Sequence, residues 1–303
     1  MRMSKKSWIF LIPVVAGMLM LACRAKEGPA ETPVITYVAT IQPLYVILGE
    51  LTQGRAEVTR ILNPAGSPHT YDPLPSDALA ASRATALFYV SPELDEWAAA
   101  LDAKKKFQVI DCVPPDKLLM LGGDADDPHS VAGREAPDPH FWSDPTVVKA
   151  ALPCLVAELA ALDPEGASVY QANAAKFSTG LDALDAEIAA TLEPVRGKKV
   201  ILFHPSFQYL LKRYGLVYAG VIEQFPGKEP TPGFLKDMTA RLKSEGITAI
   251  FSEPQLAPRA AQALSEEAGV KLRELDPYGG LTGTETYADY MRHNAAILRE
   301  ALQ

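Results

Sequence analysis

No proline interrupts the chain between Pro164 and Pro194, and that stretch constrains the fold more than any other. Phe177, Leu181, Leu184, Ile188 and Leu192 step by four and three, the period of one helix face. Pro164 suits a first helical turn, where the missing N–H costs nothing. Roughly 29 residues at a 1.5 Å rise make a rod of ~43 Å, longer than a small domain needs. Such a rod can join two lobes rigidly. Two shorter helices broken near Gly180 fit the same pattern.

Strand and helix patterns alternate on both sides of this rod. Before it, residues 34–39, 58–62, 86–90 and 108–111 read as strands, being β-branched or aromatic. Residues 42–51 read as a helix with Leu44, Ile47, Leu48 and Leu51 on one face, and Ser76 with Asp77 opens another. Residues 146–162 carry Val148, Leu152, Leu155 and Leu159 at helical spacing, with Pro153 expected to kink the helix near Lys149. After the rod, strands are expected at 199–203, 217–221, 248–251 and 271–275. Helices are expected at 206–214, 232–245, 258–268 and 285–302, with Thr231-Pro232 as a cap and first-turn pair. Alternation of this kind implies parallel sheets covered by helices. The fold class is therefore α/β: an N-terminal lobe over 34–163, a linking helix over 164–194 and a C-terminal lobe over 195–303. A cleft between two such lobes is a default ligand site.

The first residues read as an address rather than as part of the fold. Arg2, Lys5 and Lys6 precede an apolar run of fifteen residues, Trp8 to Ala22, too short for the ~20 of a spanning helix. The run ends Leu-Met-Leu-Ala22-Cys23, which resembles a bacterial lipobox with Met20 at the usual leucine position. Lipidation then falls on Cys23, and residues 23–33 form a polar tether. An ordinary signal peptide with an incidental cysteine fits as well. Loss of residues 1–22 removes three basic groups and no acids. The formal charge then moves from −8 to −11 (26 basic against 37 acidic groups). No basic footprint for nucleic acid is present. Cys112 and Cys154 are free to pair in an oxidising compartment or to stay as separate thiols.

The 25 prolines are roughly 8% of the chain against a usual ~5%, and their placement matters. Ser67-Pro-His-Thr-Tyr-Asp-Pro73, Asp138-Pro-His-Phe-Trp-Ser-Asp-Pro145, Leu202-Phe-His-Pro-Ser206 and Leu275-Asp-Pro-Tyr-Gly-Gly280 each set a His or Asp beside a proline. Proline stiffens its own backbone and its neighbour's, so these side chains are held firmly. His204 and Asp276 also follow strand candidates directly, where open α/β sheets bind ligands. His69, His140, His204 and Asp276 are widely spaced, so any joint site is tertiary. Three imidazoles and a carboxylate suit four-coordinate zinc, and imidazole accepts other first-row metals too. Taken singly, each is also an ordinary turn residue. His293, on the last helix among charged residues, and His129, in the acidic loop 122–138, read as non-ligands.

The mature chain resembles the zinc/manganese class of bacterial solute-binding lipoproteins that feed metal to ABC importers. The motifs that carry this are Ala39-Thr-Ile-Gln-Pro-Leu44, the four stretches above, Pro226-Gly-Lys-Glu-Pro-Thr-Pro232 and Ser252-Glu-Pro-Gln255, spread from residue 34 to about 300. The resemblance implies metal held between two lobes on a rigid helix, with small motions on release. It implies His69, His140 and His204 as ligands, Asp276 as the acid ligand, and Glu253 behind them. It further implies an ABC permease as partner, a lipid anchor at Cys23 and a monomer that is exported and membrane-tethered. Histidine at position 204, where manganese-type relatives carry Glu, favours Zn2+ over Mn2+. The loop 122–138 departs from the long His-rich loop of many zinc-type members, since it has one His and several acids. The competing expectations are a manganese receptor of the same class, a surface adhesin, and a zinc hydrolase with Glu253 as base. A closed four-ligand shell leaves no open position for catalysis, and no H-E-x-x-H, G-x-S-x-G or P-loop pattern occurs.

Overall fold

A computed structural model describes residues 34–121, 136–223 and 227–303. Cys23 with its leader and tether, and His129, lie outside the described residues. The N-terminal half contains β1 (Thr36–Ala39), α1 (Gln42–Thr52), β2 (Glu57–Arg60), α2 (Pro75–Arg83), β3 (Ala86–Tyr89), α3 (Pro92–Ala100), β4 (Lys106–Gln108) and α4 (Pro145–Leu162). After α5 (Ala167–Leu192) come β5 (Lys199–Leu202), α6 (Gln208–Tyr214), β6 (Val217–Val221), α7 (Pro232–Ser244), β7 (Ala249–Ser252), α8 (Arg259–Ala268), β8 (Lys271–Glu274) and α9 (Tyr287–Leu302).

The strands form two four-stranded parallel sheets, ordered β2-β1-β3-β4 and β6-β5-β7-β8. In each, the chain leaves the first strand to one side and later returns to the other. This creates a switch point at the carboxyl ends of β1 and β3, and a second at those of β5 and β7. Crevices at such points bind ligands because neighbouring connections diverge there.

The rod is one helix. α5 has 26 residues and passes Gly180 unbroken, which at 1.5 Å per residue is about 39 Å. Turns of 3-10 helix at Pro164–Gly166 and Glu193–Val195 bracket it, so the two prolines mark its ends. α5 packs against α1, α4 and α9. Leu181, Leu184, Ile188 and Leu192 share one continuous core with Leu44 and Leu48, Leu152 and Leu155, and Met291 and Leu298. The two sheets are thus united by one apolar interior rather than by a hinge.

Several local expectations shift. The last N-terminal strand lies at 106–108 rather than 108–111, because Lys106, Phe107 and Gln108 take the register opposite Leu87, Phe88 and Tyr89. Val109 and Ile110 are buried from a 3-10 turn instead, and a short apolar run does not distinguish the two. α3 is an element the apolar period does not announce. It bends at Asp95 (φ −134°, ψ 47°), whose buried carboxylate accepts from Val90 N, Ser91 N and Thr40 Oγ1. Burial pushes that carboxyl up to about 6. α6 begins at Gln208 rather than 206, which leaves residues 203–207 as a turn. α4 continues through Pro153 as a single element. Its Cys154 is joined to Cys112, with the two Cα atoms 5.3 Å apart.

Candidate metal centre

One of the proline-flanked histidines is set at the edge of a crevice by local geometry, and two are held in 3-10 turns. His204 lies two residues past β5, and Glu253 directly follows β7, the neighbouring strand. Their side chains therefore meet: His204 Nδ1 is 2.7 Å from Glu253 Oε1, which also accepts from Ser206 Oγ at 2.8 Å. His140 opens the 3-10 turn that leads into α4. Asp138 folds back on it, and its Oδ1 accepts from His140 N (3.0 Å) and lies 2.8 Å from His140 Nδ1. His69 sits in a 3-10 turn at Pro68–Thr70, between β2 and α2. Trp97 of α3 holds that turn through Nε1 donating to the Pro68 carbonyl at 3.0 Å.

The three imidazoles converge. Among the described residues, His69, His140 and His204 form a set whose ligand atoms all lie within 4.8 Å of one another. Their ring centroids are 5.2 to 5.7 Å apart. His140 and His204 are each 1% exposed, His69 is half-buried, and all three line a cleft of about 460 Å3. Tyr71, Glu93, Trp97 and Leu121 share the lining of that cleft.

Hydrogen bonding decides the tautomers. A carboxylate only accepts, so Nδ1 of His140 and of His204 carries the proton and each Nε2 is a bare lone pair. Those two Nε2 atoms face each other at 3.4 Å. Two acceptors at that distance repel unless a cation lies between them. Zinc–nitrogen bonds of about 2.05 Å at a tetrahedral angle place neighbouring nitrogens ~3.3 Å apart, which is what is observed. Burial also lowers the pKa of His140, so its ring stays neutral and able to ligate. Each ring backed by a carboxylate is the usual support for a metal-binding imidazole.

Asp276 follows β8 by two residues and is 4% exposed, outside the three-histidine set. Its backbone is clamped by Asn294 of α9, N to Oδ1 and Nδ2 to O, both at 2.9 Å. Oδ1 accepts from Gln255 Nε2 (2.9 Å) and Tyr278 N (3.1 Å), whereas Oδ2 is buried with no hydrogen-bond partner among the described residues. His293 is exposed on α9 and takes no part. Sequence reasoning passed over Asp138, Ser206, Trp97 and Asn294. Asp138 and Ser206 leave a signal, each two residues from a proline-flanked histidine. Trp97 and Asn294 are brought in from α3 and α9 by packing.

The family profile described as "Zinc-uptake complex component A periplasmic" matches residues 38–301. The chain is 29% identical over 303 residues to the high-affinity zinc uptake system protein ZnuA of Brucella abortus, spanning 88% of this chain and 91% of that protein. A solved structure of a ZnuA deletion mutant with zinc bound superposes with a TM-score of 0.75 at 27% identity, covering 89% of this chain and 98% of the other. The laminin-binding protein Lmb of Streptococcus agalactiae, described as bifunctional with adhesin and metal-transporting activity, gives 0.76 at 28% identity, with 89% and 100% covered.

Proposed function

This chain belongs to the periplasmic zinc-uptake complex component A family, and from that premise we propose that it captures Zn2+ outside the cytoplasm and hands it to an ABC importer. It is a receptor and not an enzyme, and the metal is its cargo. The observation that carries the reading is the pair of bare Nε2 atoms 3.4 Å apart, beside a third imidazole. In this reading His69, His140 and His204 supply three nitrogens. Asp276 supplies the fourth ligand through Oδ2, the buried oxygen with no hydrogen-bond partner among the described residues. Glu253 and Asp138 hold His204 and His140 in the ligating tautomer. A nitrogen-rich, four-coordinate shell favours zinc over manganese, which is better served by six oxygen ligands. Release then proceeds by small local shifts, since α5 and the continuous core oppose a wide opening.

Competitive titration of the processed protein with Zn2+ and Mn2+ tests this. One zinc per chain, bound more tightly than manganese, is expected. Protons compete with metal for imidazole, so zinc affinity falls as pH drops below about 6.5. Burial lowers the pKa of His140, so that ring resists protonation. An affinity unchanged between neutral pH and about pH 5.5 would contradict a three-imidazole site.

The tether belongs to the same proposal. Cys23 is the acylated residue, and residues 24–33 let the folded part stand off the membrane. Replacement of Cys23 by Ala should move the protein from the membrane fraction to the soluble one. Continued sedimentation with membranes would defeat the anchor.

A further inference from the structure

We propose that Gln255 is a positioning residue that ties the loop bearing His69 to Asp276, and that this tie selects a four-coordinate ion over a six-coordinate one. The inference rests on the zinc-receptor reading above. Gln255 lies two residues past Glu253, beyond the end of β7. Its Nε2 donates to the Pro64 carbonyl at 2.9 Å and to Asp276 Oδ1 at 2.9 Å. Both partners only accept, so the amide nitrogen must face them. Its Oε1 is buried with no hydrogen-bond partner among the described residues. An amide that uses both donors and leaves its acceptor unsatisfied is not arranged for stability alone.

The two atoms it grips belong to the two halves of the chain. Pro64 opens the loop from β2 to His69, where Gly66 N donates to the Asn63 carbonyl at 2.9 Å and Trp97 grips Pro68. The loop is therefore held at one end by an amide of the C-terminal half and near His69 by an indole of the N-terminal half. Asp276 has its backbone fixed by Asn294, so its remaining freedom is rotation of the carboxylate. The bond from Gln255 to Oδ1, beside that from Tyr278 N, limits that rotation and leaves Oδ2 as the available oxygen. One planar amide thus sets the spacing between a nitrogen ligand from one half and an oxygen ligand from the other. Tetrahedral zinc needs that spacing fixed. Without the tie the shell can widen and admit water, which a six-coordinate ion accommodates and zinc gains little from.

Gln255→Ala and Gln255→Glu in the processed protein test this, the second keeping the side-chain size while replacing the donor by an acceptor. Zinc affinity should fall about 10–100-fold, the range seen when a residue supporting a ligand is lost. Manganese affinity should change less, so the zinc-to-manganese ratio narrows. Co2+ loaded in place of zinc should lose the intense visible bands of tetrahedral coordination. Circular dichroism checks that each variant is folded, and the Glu variant serves if the Ala variant is not. Wild-type cobalt bands with an unchanged metal ratio would overturn the role of Gln255, as would an equal fall for both metals. Failure of the wild-type protein to bind zinc would instead overturn the receptor reading.

Discussion

Replacement of His204 by alanine lowers zinc affinity by more than ~100-fold, beyond the upper range for losing a supporting residue alone. Two effects add. One of three converging nitrogens is removed, and the 3.4 Å pair of lone pairs with His140 no longer exists. The Glu253 carboxylate, 3% exposed, also loses its imidazole and keeps only the Ser206 hydroxyl on Oε1. A buried carboxylate that loses a hydrogen-bond partner is costly, so the wall of the site rearranges. His293→Ala, on the exposed side of α9, is the matched control and leaves affinity unchanged. Competition against a fluorescent zinc chelator reads both variants. Equal losses in the two would sink the assignment of the centre.

Loss of the Cys112–Cys154 bridge has the largest expected effect on stability. The two residues are 42 apart in sequence, and freeing a loop of that length restores chain entropy worth about 4 kcal/mol to the unfolded state. The bridge fastens the turn after β4 to α4, which packs along α5, so the loss is felt in the shared core. Cys154→Ala should lower the thermal midpoint by roughly 10 °C. Reduction of the wild-type protein should reproduce that shift, while the variant should not respond to reductant. An unchanged midpoint after Cys154→Ala would mean that the bridge is not formed in the native protein.

Much of the fold is legible in the sequence because its signals are local. The four-and-three step from Phe177 to Leu192 predicts α5, and all but Phe177 of those side chains are buried. Thr231 caps α7 as its sequence suggests, with Oγ1 accepting from Phe234 N at 3.2 Å. β4 and α3 are less legible for physical reasons. Val109 and Ile110 satisfy the core equally well from a strand or a 3-10 turn, and only pairing with β3 decides. α3 is short, and it depends on Asp95 gripping the ends of β1 and β3, a contact between Thr40 and Asp95 55 residues apart.

The candidate centre divides in the same way. Proline beside each of His69, His140, His204 and Asp276 is a local restraint, visible in sequence, and it marks the four turns. What those turns do together is not local. His204 acquires its tautomer from Glu253, 49 residues away, only when β5 and β7 lie side by side. Asp276 has one oxygen to offer because Gln255 and Tyr278 occupy the other. Whether Cys112 pairs with Cys154 was likewise open until α4 and the turn after β4 came within 5.3 Å. Periodicity thus determined the α/β class and the long helix, and proline placement marked the four turns that carry His69, His140, His204 and Asp276. Tertiary structure alone decided which nitrogens are bare and how far apart they stand, because those depend on hydrogen-bond partners that only packing brings together.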